Sequence, residues 1–505
     1  MLMWSDVVFL IGGFALLVYF FFKHKFSYWS DMGVPYAEPS IPFGNIGEMG
    51  KKYHTTEIFQ MFYRKFKGTS PVMGFYATAA PQALLMDLDL IQRICIKDFQ
   101  YFNDRAQYYN IDDDPISAHL FNIDGERWKT LRAKVSPTFT SGKMKMMLPT
   151  MIDVAHNFHM TLFEKIEDSA EVEVKEMLSR FTIDVIGSCA FGLECNSFKD
   201  PDNEFLLMGD KAFATPWWKV IRFNFCSSFV SLSRKLHIKL TDRDVSEFYN
   251  GVVRDTIKYR EENAVQRNDF LNLLMKLKDR GTLEDGPVNE AGKLTLEEIA
   301  AQSFVFFLAG FETSSTAMTF TLYELAKHPE IQATARKNVT DTLKKHDGKF
   351  TYEAAMEMSY LDQVINETMR KFPPLGSLTR RVTRDYQVPG TKFVLKKDIR
   401  VIIPIHSIHN DPEIFPEPEK FDPERFSPEN VKGRHNAAFM PFGDGPRNCI
   451  GLRFGMMQVR VGLATILRSF EILLCSRTPD PIIIRKDNFA MSSQGGMWLK
   501  LKRVS

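Results

Sequence analysis

Hydrophobic residues form one unbroken run at the start of the chain. Residues 7–22 are all apolar or glycine, and with residues 1–4 they approach the ~20 residues that cross a bilayer. A basic triplet at residues 23–25 follows at once, which favours a cytosolic location for the rest of the chain. A cleaved signal peptide would carry its charge before the apolar run. We therefore expect an uncleaved transmembrane anchor over residues 1–25.

A second long pattern predicts a buried helix. Thr295 and Glu298 have the spacing of a capping box, which starts a helix, and Pro329 ends it near residue 327. The predicted helix is roughly 50 Å long at 1.5 Å per residue. Residues 304–311 are almost entirely apolar, and a helix that is apolar on all sides is typically buried.

Three residues in the middle of this helix interrupt its apolar pattern. Gly310 is less favourable than Ala by about 1 kcal/mol, and close approach to a flat ligand would explain it. The Thr313 hydroxyl has the i−4 carbonyl of Ala309 within reach. Glu312 is an acid in an apolar stretch and needs a partner or a wet cavity. A core helix with one satisfied polar turn is the alternative interpretation.

The remaining patterns predict a mainly α fold with small β-sheets. Residues 55–98 and 385–404 contain the short apolar runs and alternation of strands. Residues 105–121 lack periodicity and predict a long loop, which in a compact domain is often functional. Residues 452–474 predict an apolar helix. The proline-rich segment predicts a stiff hinge over residues 26–45, followed by a large body over residues 46–505.

Composition narrows the function classes. The chain has 505 residues, 44% of them hydrophobic, and a formal net charge of +2. That charge gives no indication of nucleic-acid binding. The six cysteines are sparse and lack the spacing of a disulfide scaffold, so a reducing compartment is expected.

One cysteine stands out, in the sequence Phe-Gly-Asp-Gly-Pro-Arg-Asn-Cys-Ile-Gly at residues 442–451. Cys449 precedes a predicted helix, and a helix N-terminus favours a thiolate. Gly445 and Gly451 leave room for a flat, bulky group, and Arg447 offers a fixed charge for an anion. A buried cysteine in a tight turn is the plain alternative. Zinc is disfavoured because no second ligand lies at a suitable spacing.

The spacing Phe-x-x-Gly-x-Arg-x-Cys-x-Gly resembles the heme-binding loop of the cytochrome P450 family, whose thiolate ligates heme iron. Other features resemble that family in chain order. They are Trp-x-x-x-Arg at Trp128 and Arg132, Ala-Gly-x-Glu-Thr at residues 309–313, Glu-x-x-Arg at Glu367 and Arg370, and Pro-Glu-Arg-Phe at residues 423–426. The resemblance implies one mostly helical domain, so the several domains that length alone suggests are not expected.

The resemblance implies a heme b (iron protoporphyrin IX) cofactor with Cys449 as the axial iron ligand and residues 46–505 as the heme-thiolate catalytic domain. It implies catalytic roles for Thr313 and Glu312, and a structural cluster of Glu367, Arg370 and Arg425. The implied cofactor-binding residues are Arg105, Trp128, Arg132, Ala309, Gly310, Arg380, Phe442, Gly443, Arg447 and Gly451, with Arg381 as the alternative to Arg380. The expected pocket residues are Phe304, Phe307, Leu375, Leu378 and Met497.

The implied activity is monooxygenation of small lipophilic substrates such as insecticides or plant allelochemicals, as in insect microsomal members. Electrons would come from NADPH through NADPH–cytochrome P450 reductase, with cytochrome b5 as an optional second partner. O2, the lipophilic substrate and membrane lipid complete the expected partners, and the expected location is the endoplasmic reticulum membrane with the catalytic domain in the cytosol. A heme-thiolate isomerase or dehydratase, and a heme protein that only sequesters lipophiles, remain as alternatives.

Overall fold

Helices make up most of the chain, and small sheets lie beside them. The computed structural model describes residues 4–200, 202–267, 269–283 and 288–504. Residues 1–3 of the predicted anchor, residues 201, 268 and 284–287, and Ser505 lie outside this range. The described residues confirm the expected mainly α class with small sheets.

The helices are given in chain order. They are α1 Trp4–Phe26, α2 Tyr28–Asp31, α3 Thr55–Phe66, α4 Leu88–Gln92, α5 Gly125–Val135, α6 Ser141–Lys165, α7 Val174–Ile186, α8 Glu204–Phe213, α9 Trp217–Ser228, α10 Val230–Lys235, α11 Arg243–Glu262, α12 Phe270–Arg280, α13 Leu296–Lys327, α14 Pro329–Lys345, α15 Tyr352–Glu357, α16 Ser359–Lys371, α17 Ile405–His409, α18 Pro428–Val431 and α19 Leu452–Leu467.

The strands are β1 Val72–Ala77, β2 Ala80–Leu85, β3 Ser169–Glu173, β4 Leu378–Arg381, β5 Tyr386–Gln387, β6 Val394–Leu395, β7 Arg400–Ile403, β8 Phe470–Leu473 and β9 Trp498–Arg503. One sheet has the order β1-β2-β7-β4, with β2 and β7 parallel and the other pairs antiparallel. A second has the order β3-β9-β8, and β5 pairs with β6. Strands β1, β2 and β7 of the first sheet lie within the ranges that the short apolar runs predict, whereas β4 precedes the second range.

Helix α13 runs through the middle of the larger hydrophobic core. It packs against α7, α11, α16 and α19, which buries most of its side chains. The Thr295 hydroxyl accepts the Glu298 N–H at 3.1 Å, and the Glu298 carboxylate accepts the Thr295 N–H, also at 3.1 Å. The predicted capping box and the predicted end at residue 327 are both confirmed.

The predicted helix over residues 452–474 is too long at its C-terminal end. Helix α19 ends at Leu467, and the apolar residues after it form strand β8, whose partner is β9. An apolar run does not itself distinguish a buried helix from a buried strand. Residues 470–473 form a strand because β9, near the end of the chain, pairs with them.

The N-terminal helix α1 projects its apolar side chains into solvent. Among the described residues, Val8–Asp31 is the segment that is long and apolar enough to cross a membrane. The chain that follows α1 packs against the first sheet. Trp29 is fully buried, and its indole N–H donates to the Phe75 carbonyl on β1 at 3.1 Å.

Two further contacts fix this junction. The Tyr76 hydroxyl donates to the Phe26 carbonyl at 2.8 Å and accepts the Trp29 N–H at 3.1 Å. A Cβ at Gly74 would lie 2.4 Å from the Trp29 ring, so glycine is required there. The first part of the predicted hinge is therefore packed on the sheet.

Trp29→Ala should lower the free energy of unfolding by about 3–5 kcal/mol, because it leaves a large cavity against β1. Trp218→Ala is the matched control, since Trp218 is 45% exposed and its loss should cost less than about 1 kcal/mol. Urea unfolding of the full chain in detergent, followed by circular dichroism, measures both. Equal losses in the two variants would show that Trp29 does not fix the junction.

Candidate functional site

The loop before α19 closes on itself. The Cys449 N–H donates to the Phe442 carbonyl at 2.9 Å, which joins the two ends of the predicted motif. Gly443 and Gly445 have φ values of +70° and +69°, a region that favours glycine. A Cβ at Gly445 would lie 1.9 Å from the Cys95 carbonyl oxygen. This backbone therefore depends on glycine at two positions.

Cys449 is held at the end of this loop, three residues before α19 begins at Leu452. Its side chain is exposed to an internal cavity. Burial raises the pKa of the Cys449 thiol, while the Gly451 N–H, Arg105 and Arg132 act in the opposite direction. The expected preference for a thiolate is thus outweighed by burial in the protein alone, although a metal ion bound to the sulfur would deprotonate it.

The cavity has a volume of about 240 Å³ and lies between the Cys449 loop, α13, the segment around Phe121 and the chain before β4. Its lining is mostly aliphatic and aromatic. Leu375 and Leu378 are both part of the lining, as the sequence predicts. Gly451 has open space where a Cβ would be, so the floor of the cavity beside Cys449 is flat.

Helix α13 presents a different face to the cavity from the predicted one. Val305, Phe306, Ala309, Gly310 and Thr313 line it. These residues lie one, four, five and eight positions after Val305, a spacing that follows one side of a helix.

The prediction that Phe304 and Phe307 line the cavity is therefore corrected. Both are buried on another face of α13, where their ring centroids lie 5.0 Å and 5.3 Å from that of Tyr249 on α11. Met497 also lies outside the cavity lining. It is fully buried in the core, and its N–H donates to Glu173.

Gly310 lines the cavity, where the sequence predicts close approach of a flat ligand. A Cβ there would also lie 2.5 Å from the Cδ1 atom of Ile186 on α7. Close packing of α13 against α7 is thus a second reason for a glycine, one that the sequence did not indicate.

Thr313 and Glu312 face different surroundings, since successive residues of a helix are about 100° apart. The Thr313 hydroxyl lines the cavity and donates to the Ala309 carbonyl at 2.6 Å, as predicted. The buried Glu312 carboxylate lies 2.7 Å from the Lys175 ammonium group on α7. It also borders a separate polar pocket of about 760 Å³ that includes Asp210 and Asn488.

Arginine side chains gather at the edge of the cavity. Arg105, Arg132 and Arg447 all line it. Arg132 donates to the Asn448 side chain at 2.9 Å, and Arg105 donates to the Arg447 carbonyl at 2.9 Å. The Arg447 guanidinium lies 3.9 Å from the centroid of a Trp128 ring. Trp128 thus supports the arginine while lining the cavity itself.

Buried positive charge exceeds buried negative charge around these guanidinium groups, although Arg447 lies 3.8 Å from Asp124. Burial lowers the pKa of Arg105 well below its ordinary value, and the charges of Arg380 and Arg447 lower it further. Burial lowers the pKa of Arg447 to about 9. The Nη1 atom of Arg447 is buried and has no hydrogen-bond partner among the described residues. A ligand with carboxylates would satisfy this cluster, so the residues present fit a heme with its propionates.

The structure distinguishes Arg380 from Arg381, which alternate along β4. Arg381 lies 2.8 Å from both Asp104 and Asp124. Arg380 is 1% exposed, and its Nε and Nη2 atoms have no partner within the described part of the chain. Arg381 has its counter-ions, and Arg380 is the one that lacks an anion. Arg380 itself is not part of the cavity lining. Its charge nevertheless lowers the pKa values of Arg105 and Arg447, which are part of it.

The predicted structural cluster forms behind the cysteine loop. Glu367 and Arg370 are both fully buried and 2.7 Å apart, and Arg425 lies 3.4 Å from Glu367. Arg370 also donates to the His409 carbonyl at 3.0 Å.

His409 links that cluster to the loop, and sequence reasoning missed it. Its Nε2 atom accepts the Met440 N–H at 3.0 Å, and its ring stacks on Phe439 with centroids 5.1 Å apart. Nδ1 lies 3.3 Å from the Met369 carbonyl and donates to it. No motif surrounds this histidine, so no sequence signal indicated a role.

No group of three or more His, Cys, Asp or Glu residues that could hold a metal ion by themselves occurs in the described ranges. This observation is compatible with a metal that arrives in a cofactor and takes a single protein ligand.

Comparisons with known proteins agree with this geometry. The family model described as "Cytochrome P450" matches residues 35–499. The chain is 45% identical over 494 residues to cytochrome P450 6a8 of Drosophila melanogaster, with 97% of each chain covered. It is 44% identical over 504 residues to cytochrome P450 6A1 of Musca domestica, which covers 99% of this chain and 98% of that protein.

Lowering the pH from 7 to 5 should destabilise the folded protein by about 2 kcal/mol through His409 alone. Burial lowers the pKa of His409 to about 3, whereas an unfolded histidine titrates near 6.5. The unfolded state therefore takes up a proton first, so this stability is present above pH 6.5 and is lost as the pH falls. His409→Gln keeps an acceptor and a donor, and it should reduce the loss by about that amount.

The control is His237→Gln, because the His237 side chain is 74% exposed. Urea unfolding at pH 7 and pH 5 measures all three proteins. An unchanged pH dependence in His409→Gln would contradict a neutral His409 in the folded state.

Proposed function

This chain belongs to the cytochrome P450 family and is a heme-dependent monooxygenase, and from that premise we propose that it oxidises small lipophilic foreign compounds. Insecticides and plant allelochemicals are the proposed substrate class. The support is the apolar lining of the cavity beside Cys449 and the identity of about 44% to the two insect relatives. The expected resemblance to insect members is confirmed by these relatives.

The proposed cofactor is heme b, with the Cys449 thiolate as axial ligand. The single observation that carries this proposal is the placement of one cysteine sulfur on the cavity floor near buried arginines, of which Arg380 and Arg447 have guanidinium nitrogens without partners among the described residues. Arg105, Arg132, Arg380 and Arg447 would bind the propionates, and Trp128 would hold Arg447 in place. Ala309 and Gly310 on one side, and Phe442, Gly443 and Gly451 on the other, would enclose the ring. When bound, heme iron activates O2, from which one oxygen atom passes to the substrate.

The proposed proton path uses the two adjacent residues of α13. The Thr313 Oγ1 atom lies in the cavity and donates its proton to the Ala309 carbonyl, so it can accept a hydrogen bond there and hold a proton-carrying water in place. Glu312 lies against the polar pocket and is paired with Lys175. We expect Glu312 to exchange protons with water in that pocket and to pass them toward Thr313.

Substrate selection is proposed to depend on the apolar wall. Leu375, Leu378, Val305 and Phe306 supply aliphatic and aromatic surface, which favours neutral, compact lipophilic molecules. The cluster of Glu367, Arg370 and Arg425 would have a structural role behind the heme.

Electrons reach the enzyme from a redox partner. We propose NADPH–cytochrome P450 reductase as that partner, with cytochrome b5 as an additional donor. The apolar helix α1 is suited to anchor the chain in a membrane. We propose the endoplasmic reticulum as that membrane, with residues 46–505 in the cytosol. The basic residues after the apolar run support this orientation.

Thr313→Ala should reduce product formed per NADPH by about tenfold or more, because the hydroxyl that positions proton delivery in the cavity is lost. Peroxide release should rise in parallel. Thr319→Ala is the matched control, since Thr319 also donates to its i−4 carbonyl, that of Ser315, at 2.7 Å but is not part of the cavity lining. Product, NADPH and peroxide are measured together with reductase present.

A normal product yield in Thr313→Ala would contradict the proton role. Turnover of lipid hydroperoxides without NADPH would instead indicate the isomerase or dehydratase alternative. Substrate-induced spectral shifts without any NADPH-dependent product would indicate a sequestering protein. The same microsomal assay, extended to a panel of insecticides and plant toxins, tests the substrate class.

Cys449→Ser should abolish the red-shifted carbon-monoxide band of the reduced protein, because a thiolate ligand is needed for it. Cys475→Ser is the control, since Cys475 lies outside the cavity lining. A retained band in intact Cys449→Ser protein would exclude Cys449 as the ligand.

A further inference from the structure

The loop over residues 105–121 ends above the cavity. Leu120 and Phe121 both line it, so their distance from the opposite wall of the cavity sets the space that a substrate can occupy. Residues 117–122 form the tip of this loop. Asn122 links them, because its N–H donates to the His119 carbonyl at 2.9 Å and its side chain donates to the Ser117 carbonyl at 3.1 Å. The tip therefore behaves as one unit, and its position depends on how that unit is attached.

One buried side chain of α13 hydrogen-bonds the backbone of the tip. Residues 115–117 also pack against this helix, and the His119 ring centroid lies 6.0 Å from that of Phe304. Gln302 is fully buried, and its Oε1 atom accepts the Leu120 N–H at 2.9 Å. Its Nε2 atom donates to the Glu298 carbonyl one turn earlier at 3.2 Å. The oxygen and the nitrogen of the Gln302 amide both have hydrogen-bond partners, which fixes the direction in which Oε1 points.

The neighbouring groups do not duplicate this contact. Ser303 is equally buried, but its hydroxyl has no hydrogen-bond partner among the described residues. The Phe121 ring lies 4.2 Å from the Arg105 guanidinium, and Arg105 donates to the Phe121 carbonyl at 3.4 Å. Gln302 and Arg105 thus supply hydrogen bonds to the tip in addition to its packing against α13.

Gln302 also shares its helix with the opposite wall of the cavity. It lies three and four residues before Val305 and Phe306, so all three occupy one turn of α13. A shift of the tip relative to Gln302 is therefore a change in the distance between two walls of the same cavity.

We infer that Gln302 is a positioning residue that sets the height of Leu120 and Phe121 above the cavity, and through them selects the size and orientation of the bound substrate. The inference rests on the proposed function for its consequence, because it assigns a selecting role to the same cavity. The hydrogen bond itself stands on the geometry alone.

The first test measures the hydrogen bond in the holoenzyme. Gln302→Met keeps the length and bulk of the side chain and removes the acceptor. Deuterium exchange of the backbone around Leu120, followed by mass spectrometry, should become faster by about fivefold when one neutral buried hydrogen bond is lost. Ser303→Ala is the matched control at the adjacent buried position, and it should exchange as the wild type does.

The second test measures the consequence by spectroscopy and does not need turnover. Imidazole and 4-phenylimidazole both ligate heme iron, but only the second extends into the apolar part of the cavity. Gln302→Met should change the dissociation constant of 4-phenylimidazole by about fivefold and leave that of imidazole unchanged. Ser303→Ala should leave both constants at wild-type values, and the carbon-monoxide band verifies that each variant is intact.

Each other outcome overturns the inference. Unchanged exchange in Gln302→Met means that the tip is held by other contacts. Equal effects in Gln302→Met and Ser303→Ala mean that general packing of α13 is responsible. Faster exchange without a change in 4-phenylimidazole binding means that the tip does not select. Failure of the proposed function is a separate result, namely a wild type that binds both azoles but forms no NADPH-dependent product.

Discussion

Buried positive charge without matching negative charge is the constraint around which this site is built. The charge of Arg380 lowers the pKa values of both Arg105 and Arg447. The nearby Asp104 and Asp124 lie 2.8 Å from Arg381, and Asp124 lies 3.8 Å from Arg447. Buried charges are costly unless they are paired. The folded chain alone therefore keeps an unfavourable term that a dianionic cofactor removes. Binding energy of this kind also stabilises the native state, since it is available only to the folded form.

The rest of the molecule holds the two sides of the cavity at a fixed separation. On the α13 side, Gly310 allows α7 to pack directly against the helix. On the cysteine side, His409 connects the buried Glu367–Arg370 pair to the start of the loop. The first contact lies in the cavity wall itself, since Gly310 and Ile186 both line the cavity, whereas His409 is outside the lining. Both determine how rigidly Thr313 and Cys449 face one another, and a site held by packed helices is more precise than one held by loops.

The sequence was sufficient for those parts of the fold and site that short-range patterns determine. The capping box located the start of α13. The glycines of the cysteine loop were expected to leave room for a flat group, and the structure adds that Gly445 is required by the backbone of Cys95. Phe304 and Phe307 were misplaced because an all-apolar helix offers no polar face from which to judge its rotation. The choice between Arg380 and Arg381 required the partners on neighbouring strands. His409, Lys175 and Gln302 act across long sequence separations, and such contacts leave no local pattern.

The burial of Trp29 against β1 has a consequence for how the enzyme meets its membrane. Because Trp29 is packed on the sheet just after α1, the orientation of α1 about its own axis is fixed relative to the rest of the protein. A flexible linker would not fix it. Each residue inserted into α1 would turn the lipid-facing surface by about 100° and shift it by 1.5 Å. The length of α1 then helps to set which side of the protein tilts toward the bilayer, where lipophilic molecules are most concentrated.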